Sequence, residues 1–140
     1  MKIAVVYWSG TGNTELMAKA VLEGTVTAGA EGTLLTAADF TAEQMNEYDA
    51  FAFGCPSMGV ESLEESEFEP MFQACKPFLS GKRLALFGSY GWGDGEWMRN
   101  WEDACRADGA ELVCESVICN DTPDDAALTA CKALGAALAN

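Results

Sequence analysis

Short apolar runs separated by longer stretches of helical periodicity, repeated about four times, constrain this chain more than any other feature of it. The runs cover residues 3–8, 32–36, 50–54, 83–87 and 112–119, each about the length of a buried strand. Between them, residues 14–28 place Leu16, Met17, Ala20 and Val21 on one helical face and leave Lys19 and Glu23 off it. Weaker helical patterns occupy 65–79, 95–107 and 125–138. Pro70 and Pro77 interrupt the first of these, so that helix starts near Pro70 or breaks. Alternation of this kind predicts an α/β fold with a parallel sheet covered by helices on both faces. Ligands of such sheets bind at the carboxyl ends of the strands, where the strand order reverses.

At 140 residues the chain is expected to form one domain spanning 1–140. It has no apolar stretch of the ~18 residues that would span a membrane. The apolar start is too short for a secretory signal, so the mature protein is expected to begin at Met1 in the cytoplasm. Eight Lys plus Arg against 22 Asp plus Glu give a formal charge of −14. That charge repels nucleic acid and anionic lipid, and asks for macromolecular partners with basic surfaces. The absence of histidine removes the usual neutral-pH base and the commonest metal ligand, which counts against hydrolases and zinc enzymes; no metal is expected. Six cysteines without a CxxC pair read as reduced structural thiols, with Cys75 or Cys105 open to incidental oxidation if exposed.

Three loops follow the first, third and fourth runs. Ser9, Gly10, Thr11, Gly12, Asn13 and Thr14 lead directly into the first helix. Glycines allow a tight turn, main-chain N–H groups and the helix N-terminus attract an anion, and three hydroxyls add donors. The segment contains no lysine and is neither a Walker A nor a GxGxxG motif, so a phosphate monoester suits it better than a triphosphate or a dinucleotide. A plain helix cap is the alternative. Cys55, Pro56, Ser57, Met58, Gly59, Val60 and Glu61 form the second loop, in which Met58 and Gly59 can lie against a flat ring and Glu61 can accept from an imide N–H. Alone it is a turn containing glycine. The third loop, residues 88–95, sets Tyr90 and Trp92 among four glycines, an aromatic stacking site or a ring folded over the core edge. Phosphate at one end of a crevice and a planar ring at the other describe a mononucleotide, for which FMN is the natural candidate.

Residues 7–15, together with Met58, Gly59, Glu61 and residues 88–95, resemble the short-chain flavodoxins of anaerobic bacteria, and the likeness extends over almost the whole chain. The resemblance implies a flavodoxin-like three-layer sandwich: a five-stranded parallel sheet of order 2-1-3-4-5 with helices on both faces. It implies a one-electron carrier that binds FMN non-covalently and serves redox enzymes; a monomer is expected. Ser9 to Thr14 become the phosphate cradle, Met58 the inner ring contact and Trp92 the outer one. Glu61 then holds the flavin N3 edge, Gly59 offers a backbone partner to N5, and Ser89, Tyr90 and Gly91 line the pyrimidine side. Pro56, Ser57 and Gly93 complete these walls. Asp121 stands in the loop after the last strand, where the family often has Asn.

Five carboxylates within residues 61–69 follow the second loop directly. At ~10 Å, one carboxylate costs an anionic hydroquinone ~0.4 to 1.7 kcal/mol before salt screening, so the second reduction falls at low potential. Asp94, Glu96, Asp121, Asp124 and Asp125 extend this acidic rim, which steers basic partners toward the flavin. An FMN-dependent NAD(P)H reductase is the runner-up, but it needs an open pocket and positive charge for the dinucleotide. A phosphate-receiver domain requires acids where the first strand ends in Trp8-Ser9 and an aspartate where the third ends in Gly54-Cys55.

Val60 departs from what the resemblance asks of its turn, because in this family the position adopts positive φ when the flavin takes up one electron. A β-branched side chain resists that conformation by ~1 kcal/mol or more. Val60→Gly is therefore expected to raise the oxidised/semiquinone potential by tens of millivolts, since ~1.4 kcal/mol corresponds to ~59 mV for one electron. Spectroelectrochemistry showing an unchanged potential would refute the argument.

Overall fold

The computed structural model describes residues 1–59 and 61–140; Val60, on which the turn argument above rests, lies outside the described residues. Strands β1 (Lys2–Tyr7), β2 (Glu31–Thr36), β3 (Ala50–Gly54) and β4 (Arg83–Tyr90) fall where the apolar runs predict them. Helices α1 (Asn13–Thr27), α2 (Phe68–Cys75), α3 (Glu96–Ala107) and α4 (Asp125–Leu138) fill the intervals. The fifth run is divided into β5 (Glu111–Leu112) and β6 (Val117–Asn120), which pair in parallel with opposite ends of β4. Every ladder is parallel, and the order β2-β1-β3-β4-β5 is the one the sequence resemblance implies.

Pro70 is the third residue of α2, where a missing N–H costs little because the first turn has no intrahelical partner for it. Pro77 sits in a separate 3-10 turn, Lys76–Phe78, so the predicted 65–79 helix is late in starting and broken at its end.

Side chains alternate strictly between the two faces of the sheet. On β3, Phe51 and Phe53 join one core cluster with Phe68, Phe72, Trp97 and Trp101, whereas Ala50 and Ala52 join the other with Met17, Val21 and Leu134. Large residues thus fill the space beneath α2 and α3, and small ones let α1 and α4 come close. Phe53 meets Phe72 edge-on at 5.3 Å, and Phe68 meets Trp101 edge-on at 5.4 Å, the geometry aromatic quadrupoles favour. Cys75 and Cys105 are fully buried, which removes them as surface oxidation sites. Burial pushes the Cys75 thiol to about 11 and that of Cys105 to about 12, so neither forms a thiolate at neutral pH.

Helices α1 and α4 touch backbone to backbone through two glycines. A Cβ on Gly24 would lie 2.0 Å from the Lys132 carbonyl oxygen, and one on Gly135 would lie 2.1 Å from that of Val21. In an exposed helix, Gly→Ala stabilises by about 1 kcal/mol. Gly24→Ala is expected instead to destabilise by about 2 to 3 kcal/mol, because neither backbone can yield. Urea unfolding checks this: a lower midpoint at unchanged slope is the expected result, and a raised midpoint refutes the close crossing.

Candidate functional site

β1, β3 and β4 deliver the three loops to one edge, the ladders aligning Tyr7 with Gly54 and Gly54 with Phe87, after which β1 and β3 end and β4 continues to Tyr90 beside β6. After β1 the backbone turns through Gly12, whose φ of 97° is open to glycine and costly for other residues, and α1 begins at once. The Ser9 hydroxyl accepts the N–H groups of Gly12 at 3.1 Å and Glu15 at 3.3 Å. The main-chain N–H groups of Gly10, Thr11, Asn13 and Thr14 find no acceptor among the described residues. The Thr14 and Ser89 hydroxyls lie 3.1 Å apart in the interior, joining this loop to the end of β4. Four open N–H donors at a helix N-terminus suit a phosphate monoester held without a basic side chain.

A cavity of about 240 Å³ opens between the loops, near the ~300 Å³ lower end of small-molecule sites. Ser9, Gly10, Thr11, Asn13 and Thr14 line it from the first loop and Pro56, Ser57 and Met58 from the second. Ser89, Tyr90 and Gly91 line it from the third, and Asp121 from the loop after β6. Met58 is half-buried, and Tyr90 packs against Trp97 with ring centroids 5.6 Å apart. No Lys or Arg lines the cavity among the described residues.

The other predicted site residues lie outside this lining. Gly12 faces a neighbouring cavity of about 480 Å³ that shares Trp8, Ser9, Gly10 and Thr11 with the first. Gly59 is exposed and Trp92 is 63% exposed on its loop. Glu61 reaches the start of α3, where its Oε1 accepts the Glu96 N–H at 3.0 Å beside Gly93. Glu61, Asp94 and Glu96 bring three carboxylates within 4.8 Å of one another, and Arg99 pairs with Asp94 at 3.1 Å.

Two residues absent from the sequence-based assignment belong to this edge. Trp8 walls both cavities and donates its indole N–H to Glu67 at 3.0 Å. Its place directly before the first loop, at the carboxyl end of β1, was the available signal. Asn120, the last residue of β6, donates its Nδ2 to the Tyr90 carbonyl at 3.3 Å and stands one position before Asp121. Asp121 adopts φ 56°, in the left-handed region that Asn and Asp tolerate best after glycine.

The second loop is held from beneath. Met58 and Ser62 exchange main-chain hydrogen bonds at 2.8 and 2.9 Å, closing a tight turn with positive φ at Gly59 and Glu61. The Ser57 N–H donates to the Ser89 carbonyl at 3.0 Å, and the Trp97 indole N–H to the Cys55 carbonyl at 3.2 Å. Glu64, 5% exposed, anchors the far end of the loop. Its carboxylate accepts the N–H groups of Ser66 at 2.7 Å and of Glu67 and Phe68 at 2.8 Å, together with the Ser66 hydroxyl.

A further cavity, about 720 Å³, lies between β6 and α4. Ala126, Ala127, Ala130 and Ala133 give it an alanine wall that offers neither anion donors nor an aromatic surface, so the smaller cavity carries the chemistry.

Comparison with known proteins finds one family. The family described as Flavodoxin matches residues 5–135. The chain is 42% identical over 137 residues to the flavodoxin of Megasphaera elsdenii, covering 98% of each protein. It is 43% identical over 122 residues to that of Clostridium beijerinckii, covering 87% of this chain and 88% of the relative. The solution structure of two-electron reduced Megasphaera elsdenii flavodoxin superposes with a TM-score of 0.90 at 43% identity, covering 98% of both chains.

Glu64 generates a pH prediction. Burial alone would raise its carboxyl, but the Ser66 hydroxyl and the N–H groups of Phe68, Glu67 and Ser66 outweigh it and hold the group at about 2 against a usual 4.5. A carboxyl lowered on folding stabilises the native state above its unfolded value, and that contribution fades as pH falls from 4.5 toward 2. Glu64→Gln is expected to lose about 3 kcal/mol at pH 7 and to show a flatter acid limb. Urea unfolding from pH 7 to pH 3 checks both, and parallel acid limbs for the two proteins would refute the assignment.

Proposed function

We infer the working of this site from membership: the chain belongs to the flavodoxin family, and as such it is an FMN-binding electron carrier rather than an enzyme. When bound, FMN supplies a two-electron store that fills and empties one electron at a time. The residues present fit it. Ser9, Gly10, Thr11, Asn13 and Thr14 would hold the phosphate through main-chain N–H groups and hydroxyls, with Gly12 turning the backbone between them, and the four open donors of this loop are the observation that carries the assignment. Using neutral donors leaves the phosphate charge in place, so the cofactor end stays electronegative like the surface around it.

Ser89, Tyr90 and Gly91 would contact the pyrimidine side, and Pro56, Ser57 and Met58, which line the same cavity with Asp121, would form the inner wall of the ring site. Trp92 and Gly93 supply the outer wall. With FMN bound, Gly59 would offer its backbone to N5 and Glu61 its carboxylate to N3, with Val60 between them in the sequence. Their side chains and peptides orient the ring and exclude water from one of its faces.

The carboxylates after the second loop make an additional electron costly, so we place the second reduction at low potential. The same carboxylates favour redox enzymes that present basic docking surfaces, and a charge of −14 keeps copies of the chain apart as monomers. Among the described residues no helix is long and apolar enough to cross a membrane. Six free cysteines suit a reducing compartment, which supports a cytoplasmic location.

The test is an anaerobic reductive titration after incubation with FMN and removal of the excess. Retained FMN reduced in two resolved one-electron steps, the second at low potential, is the expected result. Loss of FMN on desalting would refute the site assignment, and a single two-electron step would refute the one-electron role.

A further inference from the structure

Glu61 is a non-glycine residue at φ 52°, a conformation that L-residues adopt only when something holds them there. The paired Met58–Ser62 hydrogen bonds close its turn, and its side chain is held on the opposite loop. Its Oε1 accepts the Glu96 N–H, the first N–H of α3, at 3.0 Å. The N-cap of that helix is Gly95, which has no side chain to offer, so the helix takes its capping oxygen from a residue on another loop. Gly93 makes room for the contact: a Cβ there would lie 2.6 Å from the Glu61 carboxyl carbon.

Asp94 and Glu96 repel the carboxylate, and Arg99 is engaged with Asp94 through both its side chain and its carbonyl. The helix dipole and one charge-assisted hydrogen bond therefore oppose the local repulsion. Trp92, exposed, stands on the same loop directly before Gly93.

We propose that Glu61 is a positioning residue that ties the turn after Met58 to the Trp92 loop, fixing the spacing between the two walls of the ring site. The tie depends on Gly93 remaining without a side chain. Release of a planar ligand then requires the Glu61–Glu96 contact to open. This role acts through the protein backbone and is separate from any contact between Glu61 and FMN.

Two readouts test it, and only the second rests on the FMN assignment. The first is exchange of the Glu96 amide with solvent, followed by NMR in the protein as purified; the second is the FMN dissociation rate. Glu61→Ala is expected to raise both about tenfold, the equivalent of one charge-assisted hydrogen bond at the low end of its range. Glu61→Gln, which retains an acceptor oxygen, is expected to restore both to near the starting values. Gly93→Ala is expected to release the amide in the original background and to add little in the Glu61→Ala background, because the two substitutions break one contact.

A Glu96 amide that exchanges at the original rate in Glu61→Ala overturns the tie. A released amide with unchanged FMN dissociation overturns its positioning role. Protein that retains no FMN defeats the functional assignment, while the amide measurement still decides whether the tie exists. If Gly93→Ala does not fold, the Ala and Gln variants of Glu61 decide alone.

Discussion

The arrangement of this protein depends on the parallel register of its three central strands. Tyr7, Gly54 and Phe87 are aligned across β1, β3 and β4; β1 and β3 end there, and β4 runs on to Tyr90 along β6. That alignment needs bare backbone where the chains crowd. A Cβ on Gly54 would lie 2.1 Å from the Phe87 ring, and one on Gly88 2.2 Å from the Cys55 carbonyl oxygen. Hydrogen-bonded ladders cannot slip by one residue without turning every core side chain to the wrong face, so the loops inherit their mutual positions from the core. The loops then add only short local ties, such as Thr14 to Ser89 and Ser57 to Ser89.

Electrostatics at this edge divide between two devices. Oriented N–H groups provide a local positive end without placing any net positive charge there, and carboxylates surround it at longer range. A lysine in the first loop would bind phosphate more strongly in isolation, but it would also cancel part of the acidic field. The chain therefore separates the binding of an anion from the overall sign of its surface. Glu64 shows a similar separation inside the fold, where a buried carboxylate acts as a cap for main-chain donors and contributes no exposed charge.

The layout was legible in the sequence because it rests on periodicity and on glycine-rich turns. Residues 3–8 alternate faces as β1, residues 14–28 show the stripe of α1, and Pro70 marks the start of α2 to within its first turn. The division of the last strand leaves only a faint mark in the sequence, the polar pair Glu115-Ser116 inside the 112–119 run, directly before β6 begins at Val117. Within the site, most of the predicted lining meets at one cavity because adjacency to strand ends is a local property. Trp8 was missed because it reads as the last strand residue, and Asn120 because the expected asparagine was sought one position later. The Glu61–Glu96 contact joins residues far apart in sequence and involves a main-chain donor, which leaves no trace in composition or spacing.

The pairing of α1 with α4 has a consequence for the order in which the molecule can form. The first helix and the last close the same face of the sheet, with Gly24 against the backbone at Lys132 and Gly135 against that at Val21. Almost the whole chain separates these partners, so the contact is of high order and its loop-closure entropy must be met late. On a ribosome, α1 and the alanine side of β3 wait half-covered until the last helix has emerged, whereas the aromatic side can assemble around α2 and α3 beforehand. The two faces of one sheet thus mature at different times during synthesis, and the later one is sealed by glycines.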